Sequence, residues 1–400
     1  MIIRKAFKFA ILPNGKQSRK MQQFCGCSRY VFNGGLNWQN KQYALDKNFK
    51  FSYTKIANLL PIWKKKHSWL AACHSQVLQQ SLKDLETAFR NFFQKRSSFP
   101  TFKKKGTKDT FRFPQGTKLE ENNNRIYLPK IGWVRYKKSR SVMGTIKNVT
   151  VSKRCGKWFV AIQTEHEQLP QLPKGGEVGI DLGIVRFATL SDGTYFEPRN
   201  SLKAMSQRLR KAQRSLSRKK KFGKNWLKAK KRVSKIHYYI ANARHDYLHK
   251  VSTNISKNHA MVYVEDLQIT NMSKSAKGNV EAPGRNVTQK SGLNRAMLDQ
   301  GWFEFRRQLD YKLVWLGGHL VSVPPKNTSR QCPGCEHISA NNRKTQANFL
   351  CELCSFSANA DEVAAINILR AGRARLACEV NGALMPSAAG THRSELVIHH

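Results

Sequence analysis

Lys5-Ala-Phe-Lys-Phe-Ala-Ile-Leu12 contains short-range alternation and ends at Pro13-Asn14-Gly15, a pattern that predicts a strand entering a turn. From Lys16 to about Leu45 the spacing of Met21, Phe24, Tyr30 and Phe32 is helical instead. A second helix is predicted over Gln79–Phe93, where Leu82, Leu85, Phe89 and Phe92 recur at steps of three and four. The segment Phe99-Pro-Thr-Phe-Lys-Lys-Lys105 breaks this pattern. Its rings could stack on bases while Lys103, Lys104 and Lys105 meet phosphates, or it could form a hydrophobic plug with a solvated basic tip. From Arg112 to Glu165 short apolar runs predict strands, two of them joined as a hairpin around Lys153-Arg-Cys-Gly156. Strands at this spacing predict a small β-barrel, which the N-terminal strand joins.

Pro170 to Gly176 reads as a linker, followed by a strand-turn-strand signal over Val178–Gly183 and Phe187–Gly193. Met261–Leu267 is another apolar strand, Asn271 to Asn294 has the composition of a mobile loop, and a helix over Trp302–Trp315 leads to a strand at His319–Val323. A last helix is expected from about Asp361 to Ala371, with residues 373–400 a disordered tail. The fold class is therefore mixed α/β. The long helical region in the middle carries no acidic residue between Glu197 and Asp246. A surface without acids cannot be laced by salt bridges, so Arg218, Lys219, Lys220, Lys221, Lys230, Lys231 and Arg232, together with Arg330 further on, are expected to meet polyphosphate.

Composition strengthens that expectation. Lys plus Arg outnumber Asp plus Glu 71 to 25, a formal charge of +46 on 400 residues. Such an excess repels itself in a compact chain unless a polyanion neutralises it, and nucleic acid is the natural counter-charge. An anionic membrane fits less well, because no apolar stretch is long enough to span one and Lys5 and Lys8 interrupt the only candidate signal segment. The expected location is the cytoplasm, acting at the nucleoid.

Four of the nine cysteines form two tight pairs, Cys332-Pro-Gly-Cys335 and Cys351-Glu-Leu-Cys354, with fifteen residues between them. Each pair makes a knuckle offering two thiolates, and four thiolates around one Zn²⁺ leave no open position, so this zinc should be structural. Cys25, Cys27, Cys73, Cys155 and Cys378 have no such partners and are expected to serve packing.

Three acids have placements that bear on chemistry. Asp181 lies in an apolar strand before Leu-Gly, with the glycine leaving open space; Glu265 ends an apolar strand; Asp361 starts a helix, where it could equally be a simple cap. Two strand-end acids and one helix-borne acid can converge on a pair of Mg²⁺ or Mn²⁺ ions about 3.5–4 Å apart, an arrangement that activates water and neutralises a leaving oxygen in phosphodiester hydrolysis. Asp192, Asp246, Asp266 and Asp299 are rival acids that spacing does not exclude.

The ordered set Gly179-Ile-Asp-Leu-Gly183, Val264-Glu-Asp-Leu267, Thr328-Ser-Arg-Gln-Cys-Pro-Gly-Cys335, Cys351-x-x-Cys354 and Asn359-Ala-Asp-Glu-Val-Ala-Ala-Ile-Asn-Ile368 resembles the TnpB (OrfB) family of insertion-sequence proteins, RNA-guided DNA nucleases related to type V CRISPR effectors. Phe99–Lys105 and Asp299-Gln-Gly-Trp302 also look familiar, so the similarity extends over most of the chain. The resemblance implies a RuvC-like, RNase H-fold nuclease domain (175–325 and 355–372) with Asp181, Glu265 and Asp361 as its catalytic, metal-binding acids. It further implies a wedge barrel (1–14 and 108–174), a helical recognition insert (15–107) and a zinc-ribbon module (326–354) that helps load target DNA. Its partners would be a transposon-derived guide RNA and target double-stranded DNA, cut beside a short motif read by the protein. Many relatives carry Asn two residues after the third acid, where this chain has Val363. A strand-transferring transposase and a catalytically idle regulator of transposition remain the alternatives, since one scaffold can host all three.

Overall fold

In strand β1 (Ile2–Leu12) the sequence alternation is realised in burial: Ile3, Phe7, Phe9 and Ile11 face inward. The computed structural model describes residues 1–169 and 171–382, which form two units dividing between residues 169 and 170. Helix α1 (Gly15–Leu45) begins at Asn14, whose side chain accepts from the Gln17 backbone N–H at 2.8 Å while the Gln17 side chain accepts from the Asn14 N–H at 3.0 Å. This reciprocal cap satisfies two of the four donors that a helix start leaves unpaired.

Short helices α2 (Tyr53–Ala57), α3 (Leu60–Lys66) and α4 (Ser68–Ala71) lead to α5 (Ser75–Phe93). Six strands follow: β2 (Asp109–Phe113), β3 (Lys118–Glu120), β4 (Arg125–Leu128), β5 (Gly132–Tyr136), β6 (Thr145–Arg154) and β7 (Lys157–Glu167). With β1 they form one antiparallel sheet in the order β2-β6-β7-β1-β5-β4-β3. The ladder ends at β2 and β3, which do not pair, so the expected barrel is an open sheet by hydrogen bonding. Its inner face is covered by Met21, Phe24 and Val31 of α1 and Val77, Leu78 and Leu82 of α5, and sheet and helices share one core. Full burial of one such side chain contributes about 1.5–3 kcal/mol.

The second unit has a five-stranded sheet of β8 (Gly176–Asp181), β9 (Ala188–Leu190), β10 (Tyr195–Phe196), β11 (His259–Glu265) and β12 (His319–Val323). Its order is β10-β9-β8-β11-β12; β8, β11 and β12 run parallel, whereas β9 and β10 are antiparallel. Between β10 and β11 stand helices α6 (Ser201–Ser217) and α7 (Lys224–Asn258), zipped by a thin apolar seam of Leu209, Ala212, Ile236 and Ile240. The short α8 (Ile269–Met272) is followed by α9 (Val287–Gln300) and α10 (Trp302–Trp315).

Part of the loop expected over 271–294 is thus helical. Val287-Thr-Gln-Lys-Ser-Gly-Leu-Asn294 lacks an apolar stripe, and the buried residues of α9 come only near its end, at Met297, Asp299 and Gln300. A two-stranded ribbon, β13 (Asn348–Leu350) with β14 (Ser357–Asn359), precedes α11 (Ala360–Gly382). That helix runs well into the stretch expected to be disordered; Arg373 pairs with Glu177 at 2.6 Å and Arg375 donates to the Ser322 carbonyl at 2.7 Å. Residues 383–400 of the expected tail lie outside the described residues. Of the five cysteines outside the two Cys-x-x-Cys pairs, Cys25, Cys27 and Cys73 pack in the first core, but Cys378 is exposed and Cys155 occupies the β6–β7 turn with φ of 49°. No helix among the described residues is long and apolar enough to cross a membrane.

Candidate active site

Asp181 and Glu265 are the last residues of β8 and β11, adjacent parallel strands whose register pairs Ile180 with Val264. The two carboxylates therefore leave the same edge of the sheet side by side, about 5 Å apart at the backbone. Asp361 arrives from the first turn of α11, which packs on β8. Gly179 permits that approach: a Cβ there would stand 2.1 Å from the Ala365 carbonyl oxygen and 2.6 Å from the Leu369 nitrogen. Any side chain at 179 would push α11, and Asp361 with it, off the strand. Gly183 does not leave the open space expected beside Asp181, because its Cβ would meet the Arg186 carbonyl oxygen at 2.6 Å in a tight turn.

Burial, the Glu265 charge and the Asp361 charge together push the Asp181 carboxyl up to about 7, against the pull of Arg343. Glu265 is raised by burial, with a Thr328 hydrogen bond and Arg343 opposing. Two effects make this a candidate cation site: carboxylates drawn together out of water, and too little compensating charge. All donors are hard oxygens, which suits Mg²⁺ or Mn²⁺. The three acids converge more loosely than the four thiolates, the one group of such ligands among the described residues whose donor atoms all lie within 4.8 Å of one another.

A stability prediction follows from the Asp181 shift. An acid whose carboxyl is raised on folding stabilises the protein at low pH and loses that contribution as pH climbs through its folded value. Asp181→Asn, which imitates the protonated acid, should therefore raise the melting temperature without added divalent ion by on the order of 5 °C at pH 8 and by less at pH 5, allowing for the partly exposed carboxyl. A thermal-shift series over that range checks it. An equal gain at both ends would mean that charge repulsion at this site is unimportant.

The rival acids are engaged elsewhere. Asp266 pairs with Arg306 at 2.6 Å, Asp246 with Lys250 at 2.9 Å and Asp192 with His259 at 3.5 Å. Buried Asp299 accepts from the Leu202 backbone N–H at 2.8 Å at the start of α6 and pairs with Arg244 at 3.5 Å.

Sequence reasoning missed three side chains that complete the site. Thr328 donates its hydroxyl to Glu265 Oε1 at 2.5 Å. Buried Asn367 of α11 donates to the backbone carbonyls of Thr328 at 2.8 Å and Gln331 at 2.7 Å, tying the helix to the loop that carries Thr328. Arg343, from a 3₁₀ turn between the two cysteine pairs, donates Nη2–H to Asp361 Oδ1 at 3.2 Å and lies close enough to Asp181 and Glu265 to favour their charged forms. Thr328 and Asn367 stand inside motifs already singled out. Arg343 had no signal, being one of 71 basic residues.

The cysteine module fits zinc. Cys332 and Cys354 Sγ atoms are 3.6 Å apart, as are those of Cys335 and Cys351, close to the ~3.8 Å edge of a tetrahedron of thiolates 2.3 Å from one ion. Val363 packs fully buried beneath the module with Cys332, Phe349, Cys351 and Ala360. Where an Asn could offer a hydrogen bond, this chain uses an apolar contact between α11 and the ribbon.

The basic residues singled out in the sequence differ in availability. Arg218, Lys220 and Lys221 are exposed at the tip of the α6–α7 hairpin, with Lys219 half-buried; Lys230, Lys231 and Arg232 are exposed on the first turns of α7, and Arg330 is exposed near the cysteine module. Lys104 and Lys105 are exposed too, but Lys103 is half-buried: its Nζ lies 3.7 Å over the Phe32 ring, and Asn33 bonds to its backbone at 2.8 and 3.0 Å.

Fold and site together define a mixed α/β protein with a carboxylate cluster at parallel strand ends, adjoined by a four-thiolate module that lends it an arginine. Profiles described as "Probable transposase" (OrfB_IS605), "Cas12f1-like, TNB domain" and "Helix-turn-helix domain" match residues 160–276, 302–368 and 1–48. The chain belongs to the TnpB (OrfB) family. It is 53% identical over 377 residues to "Putative RNA-guided DNA endonuclease InsQ" of Escherichia coli K12, covering 94% of each chain. It is 32% identical to a Streptomyces pristinaespiralis protein of the same description without a gene name, covering 94% of this chain and 91% of that one. Among solved structures it is similar to a Cas12f1–sgRNA–target DNA complex, with 15% identity, a TM-score of 0.34 and coverage of 92% of this chain and 99% of that one.

Proposed function

We propose that this protein is an RNA-guided DNA endonuclease of an insertion sequence, which holds a guide RNA and cuts guide-complementary DNA beside a short motif that the protein reads. The observation that carries the reading is the convergence of Asp181, Glu265 and Asp361, with Arg343 brought among them by the cysteine module. Kinship over 94% of the chain with a protein named as such an endonuclease supports it. The +46 charge supports it as well, since guide and target must be held together.

In this reading 175–325 and 355–372 form an RNase H-like, RuvC-type nuclease domain, a reading supported by three antiparallel strands leading into two parallel ones. Residues 326–354 are the zinc-ribbon module, 1–14 and 108–174 the wedge and 15–107 the recognition insert. The protein works in the cytoplasm, on nucleoid DNA.

Asp181, Glu265 and Asp361 would hold two Mg²⁺ ions, which when bound supply an activated water and neutralise charge on the leaving oxygen. Thr328 keeps Glu265 in one orientation by donating to Oε1, leaving its other oxygen to face the site. Arg343 holds Asp361 in place and has N–H groups left over for an equatorial oxygen of the scissile phosphate, where negative charge grows in the transition state.

Arg343→Ala should lower the single-turnover cleavage rate about 10²–10³-fold with DNA binding unchanged, and Arg343→Lys should recover part of it. A normal rate in both variants would reduce Arg343 to a salt-bridge partner. The function as a whole is tested by recovering and sequencing the copurifying RNA, then offering matched double-stranded DNA with Mg²⁺. Cut, unjoined products are expected; joined strands would indicate strand transfer.

A further inference from the structure

Between the C-terminal half of α1, the loop that follows it and the end of α5 lies a cavity of about 1010 Å³, at the upper end of the ~300–1,000 Å³ usual for small-molecule sites. Phenylalanine forms its wall: Phe51 stacks on Phe89 with centroids 4.7 Å apart, Phe93 lies near-parallel to Phe89 at 6.2 Å, and Phe99 meets Phe89 edge-on at 5.6 Å. Phe99 thus packs on Phe89, yet Phe93 remains 67% exposed and Phe99 45% exposed. Lys47, Lys50 and Arg90 stand among the lining residues, against a single acid, Glu86.

One lining side chain points to an occupant. Gln39 is 5% exposed, and its Oε1 is buried without a hydrogen-bond partner while its Nε2 reaches the Phe49 carbonyl only at 3.5 Å. A buried amide oxygen without a donor costs free energy, which a ligand would offset by donating to it once the Gln39 side chain turns toward the cavity. The missing ligand must therefore carry an N–H or O–H donor, present a flat apolar face to the phenyl rings and bear negative charge for the cations. An unstacked nucleotide meets all three requirements.

We propose that this cavity receives a single unstacked nucleobase of bound nucleic acid. Its ring lies against the exposed rings of Phe93 and Phe99, an N–H on its edge donates to Gln39 Oε1, and its phosphate is drawn to Lys47, Lys50 and Arg90. The inference rests on the nucleic-acid reading above and adds to it a base-binding site far in sequence from the three carboxylates.

The probe is an end-labelled single strand, made both as RNA and as DNA, in which 2-aminopurine is the only base and every other position is abasic. With the full-length protein, label anisotropy reports strand binding and 2-aminopurine fluorescence reports stacking on an aromatic ring. The expected result is binding with quenching by the parent protein. In Phe93→Ala, at an exposed position that does not threaten folding, and in Gln39→Met, quenching should be lost and the strand bound about 5- to 150-fold more weakly. A wholly abasic strand should bind the parent as weakly as the 2-aminopurine strand binds Phe93→Ala. Quenching that persists in both variants, or equal binding of the two strands by the parent, overturns the pocket and leaves the nucleic-acid reading standing. Failure of the parent to bind any strand at low salt would remove that reading itself. Comparing the RNA and DNA arms shows which strand supplies the base.

Discussion

Replacing Asp181, Glu265 or Asp361 singly by alanine is expected to slow cleavage of guide-matched DNA by on the order of 10³-fold or more, with guide-RNA binding retained. In the proposed mechanism the three groups would act as one unit around a cation pair, so removing any one would leave the other two without their function. The double variants should accordingly be scarcely worse than the singles. Folding should not suffer, because burial and like charge already hold the Asp181 carboxyl up near 7, and taking away one acid relieves the repulsion among the remaining two. Single-turnover cleavage with Mg²⁺, beside a filter-binding titration of the guide RNA, reads both quantities. If RNA binding vanished with cleavage in all three variants, the acids would be structural and the assignment of chemistry to them wrong.

The cysteine module is expected to give the next largest effect. Cys335→Ser with Cys351→Ser removes two of four thiolates, and a structural zinc site contributes apparent binding free energy of roughly 10–16 kcal/mol, more than so small a ribbon could replace. The segment should lose zinc stoichiometrically and become open to protease between the cysteine pairs. Cleavage should fall at least about 10²-fold, because the module supplies Arg343 and covers Val363 at the base of α11. Metal analysis, limited proteolysis and a cleavage assay on one preparation test each step. Full cleavage by a zinc-free protein would separate the module from the chemistry altogether.

The α6–α7 hairpin shows how far charge patterning reaches. The absence of acids between Glu197 and Asp246 marked it as a surface expected to meet polyphosphate, and Arg218, Lys220 and Lys221 are exposed at its tip, beside Phe222, 81% exposed. At Phe99–Lys105, where phosphate contact and a solvated basic tip were both open, a run of three lysines in sequence says nothing of which one finds an aromatic face. Lys103 settled over Phe32, and burial lowers its affinity for a proton.

The sequence by itself determined what depends on periodicity and spacing. Alternation specified β1, three- and four-residue steps specified α5, and two Cys-x-x-Cys pairs specified a tetrahedral thiolate set; all are set by neighbours a few residues apart. It also marked Asp181, Glu265 and Asp361 as strand-end and helix-start acids, without showing that they meet. Only the tertiary structure decided that. Strand order puts β8 beside β11, the missing side chain of Gly179 lets α11 lie against β8, and a 3₁₀ turn of the cysteine module lays Arg343 among the acids. Each of these brings together groups separated by tens of residues, and their proximity is set by backbone packing and not by any local pattern. An open sheet in place of a barrel has the same origin, since whether edge strands pair depends on how the whole sheet curves.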